Sequence, residues 1–541
     1  MKMGSSVSSS VVAYGIAIIA ISTSTIHGLE SKRYASLARS NMAFAVPPSR
    51  RQQQVHSSSF SPSSLCMSAE VVPPGTTSNV KTSDDDGKTW WKEYKFKDAD
   101  FFEKVRQEFP ILSIKVGGDG SNDGAEEEES MKELIYLDSA ATSHKPLYVT
   151  DALTSYYNKI NSNVHRGAHS LSRLATSKYE KARDSIAKFV NAYSRNEIVF
   201  TSGATESLNL VASSYARSKL TKGDEIIITE MEHHSNIVPW QIVAQQTGAT
   251  LKYVPLNVET GEFDIETLDS LVTSNTKIVS FQHVSNVLGT INPVSDIVTL
   301  VRSKASPDCK IVLDACQSVP HMPVNVQELG VDFLAASGHK MCGPTGIGFL
   351  WAHENTLNDM PPYMGGGEMI DDVEMEKSTY APSPARFEAG TPAIAQSIGL
   401  GAAVDYLMNI GMDRIHAYEK ELAYYLRRRL CEVDGVKVLG PNEDVPTAAL
   451  VSFVCDYVHA SDLSTFLDME GVAVRAGHHC CQPLHKAVGH SHSARASLYI
   501  YNNKEDIDKF IEHLQDTLSF FGSLEGDNDG DGSDEEFVPF I

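Results

Sequence analysis

Through the middle of the chain, short apolar runs alternate with longer stretches whose apolar residues recur at helical spacing. The runs are Ile198-Val-Phe200, Ile226-Ile-Ile228, Ile278-Val-Ser-Phe281, Ile311-Val-Leu313, Phe333-Leu-Ala-Ala336 and Gly346-Ile-Gly-Phe-Leu350. Residues 265–272 and 294–303 are two of the amphipathic stretches between them. Strands that are apolar at nearly every position, separated by helices, predict a mostly parallel sheet covered on both faces. From about residue 395 the pattern changes. A long helical stretch over 394–430 leads to shorter runs at Ala449-Leu-Val-Ser-Phe453 and Val472-Ala-Val474, and a helix over 504–521 closes the pattern. The expected architecture is α/β. A large domain spans about 148–394, and a smaller α+β domain is built from about 97–147 together with 395–522. No internal repeat is visible.

The two ends read differently. Lys2 precedes an apolar stretch over 11–21, the length of a signal-peptide core and too short to span a bilayer. Residues 31–68 are rich in Ser and Arg and contain no Asp or Glu, the composition of a transit peptide. We therefore read 1–43 as a signal-peptide-like leader, 44–96 as transit peptide and linker, 97–522 as the folded body and 523–541 as a solvated acidic tail. A signal followed by a transit segment resembles the two-part leader of plastid proteins in algae with secondary plastids. Ala43-Phe44-Ala45-Val46-Pro47 resembles the cleavage site of such leaders. The expected location is the plastid stroma, with the secretory pathway as the alternative and no membrane attachment of the mature form.

Charge and cysteines narrow the function. The net charge of −23 argues against a nucleic-acid partner, which needs a basic surface. Sixteen of the carboxylates sit in three short acidic stretches, 84–86, 119–129 and 525–536, so the body is closer to neutral. Eight cysteines without CxxC spacing fit a reducing compartment better than a disulfide framework. His478-His-Cys-Cys481 and the calcium-loop-like Asp527-Asn-Asp-Gly-Asp-Gly532 are read as no metal site. Adjacent side chains rarely converge on one centre, and the second motif has Val538 where a calcium loop needs Glu.

Chemistry-bearing residues cluster where the apolar runs end, and ligands of open α/β sheets bind beyond the strands' carboxyl ends. His233, Asn286, Asp314, Ser337, His339 and Lys340 all follow such runs. Each has a bland reading alone, since a strand-end Asp is commonly a helix cap and a lone His is commonly structural. Thr201-Ser-Gly-Ala-Thr-Glu-Ser207 opens a helix whose free N–H groups suit a phosphate. A capping box counted from Ser202 fails there, because Thr205 stands three residues on and Glu206 is one too far. A phosphate cradle, a lysine amine for an aldehyde and a carboxylate for a pyridinium nitrogen are what pyridoxal phosphate requires. Asp314 would keep the ring nitrogen protonated and His233 would stack on the ring. Cys480, in the loop Arg475-Ala-Gly-His-His-Cys480, supplies a nucleophile.

These segments resemble a known family. Tyr136-Leu-Asp-Ser-Ala-Ala141, Val164-His-Arg-Gly167, Met231-Glu-His-His-Ser-Asn236, His283-Val-Ser-Asn286, Asp314-Ala-Cys-Gln317, Ser337-Gly-His-Lys340, Gly343-Pro-Thr-Gly346, Arg386-Phe-Glu-Ala-Gly-Thr-Pro392, Arg475-Ala-Gly-His-His-Cys480 and Arg495-Ala-Ser497 occur in the order found in SufS-type (group II) cysteine desulfurases. Those are fold-type I, class V aminotransferase-like enzymes dependent on pyridoxal 5'-phosphate. The resemblance implies a mostly parallel seven-stranded sheet and a homodimer. It implies that Lys340 binds the cofactor as a Schiff base, that Cys480 forms a persulfide, and that His233 stacks on the ring and moves protons. Asp314 and Gln317 would hold the ring. Ala204, Thr205, Ser337 and His339 would hold the phosphate, with Thr391 reaching it from the partner subunit. Asn286 and Arg495 would hold the substrate carboxylate, with Arg475 in support.

The implied activity is conversion of L-cysteine to L-alanine, with sulfur passing to a SufE-like acceptor and a cluster scaffold for iron–sulfur assembly. A selenocysteine lyase and a non-catalytic scaffold are the alternatives. Two departures stand out. Cys481 replaces a small residue, and Ala204 replaces a frequent Thr.

Overall fold

A computed structural model describes residues 90–117, 131–442 and 445–526. The leader, the acidic segment over 118–130 and the tail beyond 526 lie outside the described residues, as do the expectations that fall on them. Contacts divide the chain after Ser83, so all described residues belong to one unit, 84–541.

Seven strands form the main sheet. They are β1 (Ile198–Thr201), β2 (Glu225–Thr229), β3 (Thr250–Val254), β4 (Thr276–Gln282), β5 (Lys310–Asp314), β6 (Phe333–Ser337) and β7 (Gly348–Ala352). Their order across the sheet is β1-β7-β6-β5-β4-β2-β3. All pairs from β6 to β3 are parallel, while β7 runs antiparallel to both β6 and β1. Every residue of β6 and β7 is buried, so both faces are covered, as the unbroken apolar runs require. Because β7 alone is reversed, the carboxyl ends of β1, β2, β4, β5 and β6 share one edge. The register Ser337↔Gly348↔Thr201 fixes that edge on one side, and Asp314↔Gln282 continues it. Gly348 is required at this edge: a Cβ there would lie 2.6 Å from the Cα of Gly203, where the next helix starts.

A second, antiparallel sheet contains β8 (Val436–Val438), β9 (Leu450–Cys455), β10 (Arg475–Gly477) and β11 (Ser493–Ser497), in the order β8-β9-β11-β10. The β10–β11 register sets Arg475 directly opposite Arg495. A short strand, Ile135–Tyr136, pairs with Val472–Ala473, and Asp138 bridges to Ser497. This carries Asp138 to the two arginines.

Three boundaries differ from expectation. The helical stretch over 394–430 is two helices, Ile394–Ile410 and Met412–Cys431, because Gly411 takes a positive φ of 98° and ends the first. The closing helix runs on to Gly526. Packing against the core begins before residue 97. Phe96 is buried, with its ring centroid 5.9 Å from that of Tyr418 and 5.5 Å from that of Tyr425. Arg429 sits over Trp91. Single aromatics in a polar stretch carry no periodicity, so the linker reading could not register them. Among the described residues, no helix is long and apolar enough to cross a membrane.

Candidate active site

The shared strand edge opens into a cavity of about 220 Å³. Ala204, Thr205, His233, Asn286, Asp314, Gln317, Ser337, His339, Lys340, Arg475, Cys480 and Arg495 all line it. Of the residues expected in the site, only Thr391 is elsewhere: it is exposed and does not reach the cavity of its own chain. Ala140, Ala141, Ser235, Gln282, Val284, Cys316 and His479 also line the cavity and were not expected. Ser235, Val284, Cys316 and His479 each lie within two residues of an expected site residue, and Ala140 and Ala141 end the motif Tyr136-Leu-Asp-Ser-Ala-Ala141, but Gln282 carried no such signal.

One wall is the start of the helix Ala204–Leu210. Its N-cap is Gly203, one residue later than the capping box assumed. Glu206 therefore falls at the third helical position, and its carboxylate accepts the Ser202 N–H at 2.6 Å. The Ala204 N–H donates to Ser337 Oγ at 3.0 Å, and Thr205 Oγ1 lies 2.7 Å from Ser235 Oγ. Hydroxyls and N–H groups from three elements thus gather at one end of the cavity.

The opposite wall carries the titratable groups. Asp314 ends β5 and accepts the Cys316 N–H at 3.0 Å through Oδ1. Gln317 donates to the Ala140 carbonyl at 2.8 Å, and its Oε1 is buried with no protein partner. Lys340 lies on the single turn Gly338–Lys340 after β6. The amino-terminal segment clamps that turn: the Ser143 N–H and the Thr142 hydroxyl both donate to the His339 carbonyl, at 2.9 and 3.1 Å. Burial, then the Lys340 charge, pushes the His233 imidazole down to about 4. Its Nδ1 accepts the Ser235 N–H at 3.1 Å, which leaves Nε2 to carry the proton of the neutral ring. Burial and Lys340 likewise push His339 down to about 4.

The cysteine loop closes the cavity. His479 and Cys480 both take left-handed backbone, with φ of 50° and 58°. The His234 N–H donates to the Cys480 carbonyl at 2.8 Å, Asn286 Nδ2 donates to the His479 carbonyl at 3.0 Å, and the Gln482 N–H donates to His234 at 3.2 Å. The turn carrying His233 is thereby tied to the loop carrying Cys480. Cys480 is exposed and Cys481 is fully buried.

Above the cavity, Arg475 and Arg495 share one carboxylate. Arg475 Nε lies 3.1 Å from Asp138 Oδ2, and Arg495 Nη2 lies 3.1 Å from Asp138 Oδ1. Arg495 also donates to the Asn286 carbonyl at 2.9 Å, while its buried Nε has no protein partner. Two cations against one anion leave a positive charge for a carboxylate ligand. In the sequence Asp138 is one position of the motif Tyr136-Leu-Asp-Ser-Ala-Ala141. Its role emerges from pairing between segments more than 300 residues apart.

Thr391 follows a buried ion pair. Arg183 makes a two-armed contact with Glu388, at 2.7 and 2.9 Å, and Glu388 also accepts from Tyr179 and the Phe200 N–H. This anchors the segment Arg386-Phe-Glu-Ala-Gly-Thr-Pro392 to β1 and leaves Thr391 facing outward.

A sheet with β7 alone reversed, a strand-end lysine and a strand-end carboxylate define the class. Residues 135–510 match the aminotransferase class-V family, and the chain belongs to it. A probable cysteine desulfurase of Synechocystis sp. is 51% identical over 418 residues, covering 77% of this chain and 96% of the relative. The cysteine desulfurase of Haloferax volcanii is 48% identical over 418 residues, covering 77% and 97%. Among solved structures, the cysteine desulfurase CsdA of Escherichia coli superposes with a TM-score of 0.69 at 36% identity, covering 79% of this chain and all of that one. The apo cysteine desulfurase of Thermococcus onnurineus superposes with a TM-score of 0.70 at 36% identity, covering 79% and 99%.

Proposed function

We propose that this chain is a pyridoxal 5'-phosphate-dependent cysteine desulfurase. One observation carries the reading: Lys340, Asp314 and His233 line the same cavity as an exposed Cys480 and a pair of arginines with one shared counter-ion.

The residues present fit the cofactor. Asp314 would take its ring nitrogen, Lys340 its aldehyde carbon, Gln317 its ring oxygen, and the Ala204, Thr205, Ser337 and His339 cluster its phosphate. The unpartnered Gln317 Oε1 and Arg495 Nε are orphan polar atoms of the kind a bound ligand satisfies. Bound there, the cofactor supplies an electron sink for the bond-breaking at the substrate's carbon skeleton.

The chain's own residues do the rest. Arg495, Asn286 and Arg475 hold the substrate carboxylate. The Lys340 amine takes the proton from the substrate's α-carbon and returns it. His233, neutral and with Nδ1 occupied, handles protons at Nε2. The Cys480 thiolate attacks the substrate sulfur: a sulfur–sulfur bond forms, the carbon–sulfur bond breaks, and its electron pair stays on the carbon fragment, which is protonated to L-alanine. L-cysteine and the Cys480 thiol thus give L-alanine and a Cys480 persulfide.

The exposure of Cys480 supports onward transfer to a SufE-like acceptor thiol for iron–sulfur cluster assembly. The outward position of Thr391 supports a homodimer in which it completes the partner's phosphate site. The leader composition supports delivery to the plastid stroma.

The test is an absorbance spectrum with an alanine-release assay. The purified protein should be yellow and release alanine from L-cysteine. Lys340→Ala should lose both the covalent linkage and turnover, and normal alanine release by that variant would overturn the assignment.

A further inference from the structure

Cys481 sits beside the nucleophile yet faces away from the cavity. It is fully buried in a small apolar cluster with Met231, Val287, Leu288 and Leu484. Its Sγ lies 3.2 Å from Asn286 Oδ1 and 3.5 Å from the His479 carbonyl. The thiol has one hydrogen for these two acceptors. The His479 carbonyl already takes Asn286 Nδ2, so the unfilled acceptor is Oδ1.

Asn286 is the residue whose orientation this decides. It is buried, it lines the cavity, and Arg495 fixes its backbone carbonyl. Turned over, its carboxamide would set Oδ1 against the His479 carbonyl, acceptor to acceptor. It would also set Nδ2 against a sulfur that is only a weak acceptor, and the thiol would lose Oδ1 as the acceptor of its hydrogen. The thiol and the carbonyl therefore admit one orientation, in which one N–H of Nδ2 holds the left-handed His479–Cys480 turn and the other remains free.

We propose that Cys481 is a positioning residue: its thiol sets the carboxamide of Asn286, which in turn orients the Cys480 loop and the substrate carboxylate. This deepens the desulfurase reading and rests on it for the substrate. Burial pushes the Cys481 thiol up to about 12, so it stays protonated and serves as a donor, not as a second nucleophile.

Two variants separate a hydrogen bond from mere packing. Cys481→Ser keeps a donor and Cys481→Val keeps apolar volume. Cys481→Val should raise KM for L-cysteine about fivefold, the effect of one lost hydrogen bond, with kcat within about twofold of the parent. Cys481→Ser should stay within about twofold in both constants, and in an Asn286→Ala background Cys481→Val should add nothing. Alkylation of Cys480 by iodoacetamide, read on its peptide, needs no turnover. It should be faster in the Val variant and unchanged in the Ser variant.

Unchanged KM and alkylation in Cys481→Val, equal damage in both variants, or additive effects with Asn286→Ala would each overturn the proposal. Loss of sulfur transfer in both variants would instead make Cys481 a relay. Failure of the parent to release alanine would sink the desulfurase reading separately, and the alkylation rates would still decide the role of Cys481.

Discussion

Arg475 and Arg495 stand directly opposite each other on adjacent strands and share the carboxylate of Asp138. Like charges facing across an antiparallel pair repel, so the register is stable only with a counter-ion. The residual positive charge is what a substrate carboxylate would meet. Asp138→Ala should lower unfolding free energy by about 3 kcal/mol, because it leaves the buried Arg495 uncompensated. Denaturant titration measures this. Arg495→Lys should raise KM for L-cysteine about tenfold or more while leaving the fold intact, since an ammonium cannot replace the guanidinium fork.

Stability should fall as pH drops from about 6.5 toward 4. Burial holds His144, His233, His283 and His339 down to about 4 in the folded chain, while the unfolded chain protonates them near 6.5. Between those values the unfolded state binds more protons, so acid favours unfolding. Glu232 has the opposite sign. Burial raises its carboxyl to about 8, so the folded state holds a proton that the unfolded state loses above about 4.5. Glu232→Gln should therefore gain on the parent as pH rises from 4.5 to 8. Unfolding midpoints across this range check both signs, and parallel curves for parent and variant would contradict the second.

Truncation should locate the start of the fold. A chain beginning at Asp98 loses Phe96 and its contacts with Tyr418 and Tyr425. It should unfold at lower denaturant than one beginning at Trp90, by about 2 kcal/mol for the lost aromatic burial. Equal midpoints would place those residues outside the cooperative unit.

Glu388→Ala should be among the most damaging changes away from the cavity, costing about 3 kcal/mol or more. It removes the two-armed partner of Arg183, buried beneath β1, and leaves it only the longer contact to Glu180 at 3.4 Å. Thermal unfolding tests this. The variant should also bind cofactor less well if Thr391 serves the neighbouring subunit.

The strands near the site were legible because central parallel strands are apolar throughout, and four of their ends carry the chemistry. The edge strand β3 was not among the expected runs. Thr250-Leu-Lys-Tyr-Val254 is half-exposed, with Tyr253 facing solvent, so it lacks an unbroken apolar stretch. The reversed direction of β7 leaves no mark on a run that is buried on both faces. Lys340 and Cys480 could be read from their loops, but Asp138 could not, since its partners become neighbours only when distant segments pair. The opposite fates of Cys480 and Cys481 were equally hidden. They follow from two consecutive positive φ angles ending at Cys480, which no residue type at those positions announces.

The mechanism is tested most directly by the mass of the protein after a single turnover with L-cysteine, mapped to peptides, with the released alanine measured alongside. One sulfur atom should be added on Cys480 and none on Cys481, with one alanine per persulfide formed. No alanine, or sulfur carried on Cys481 or on another cysteine with Cys480 unmodified, would contradict the mechanism.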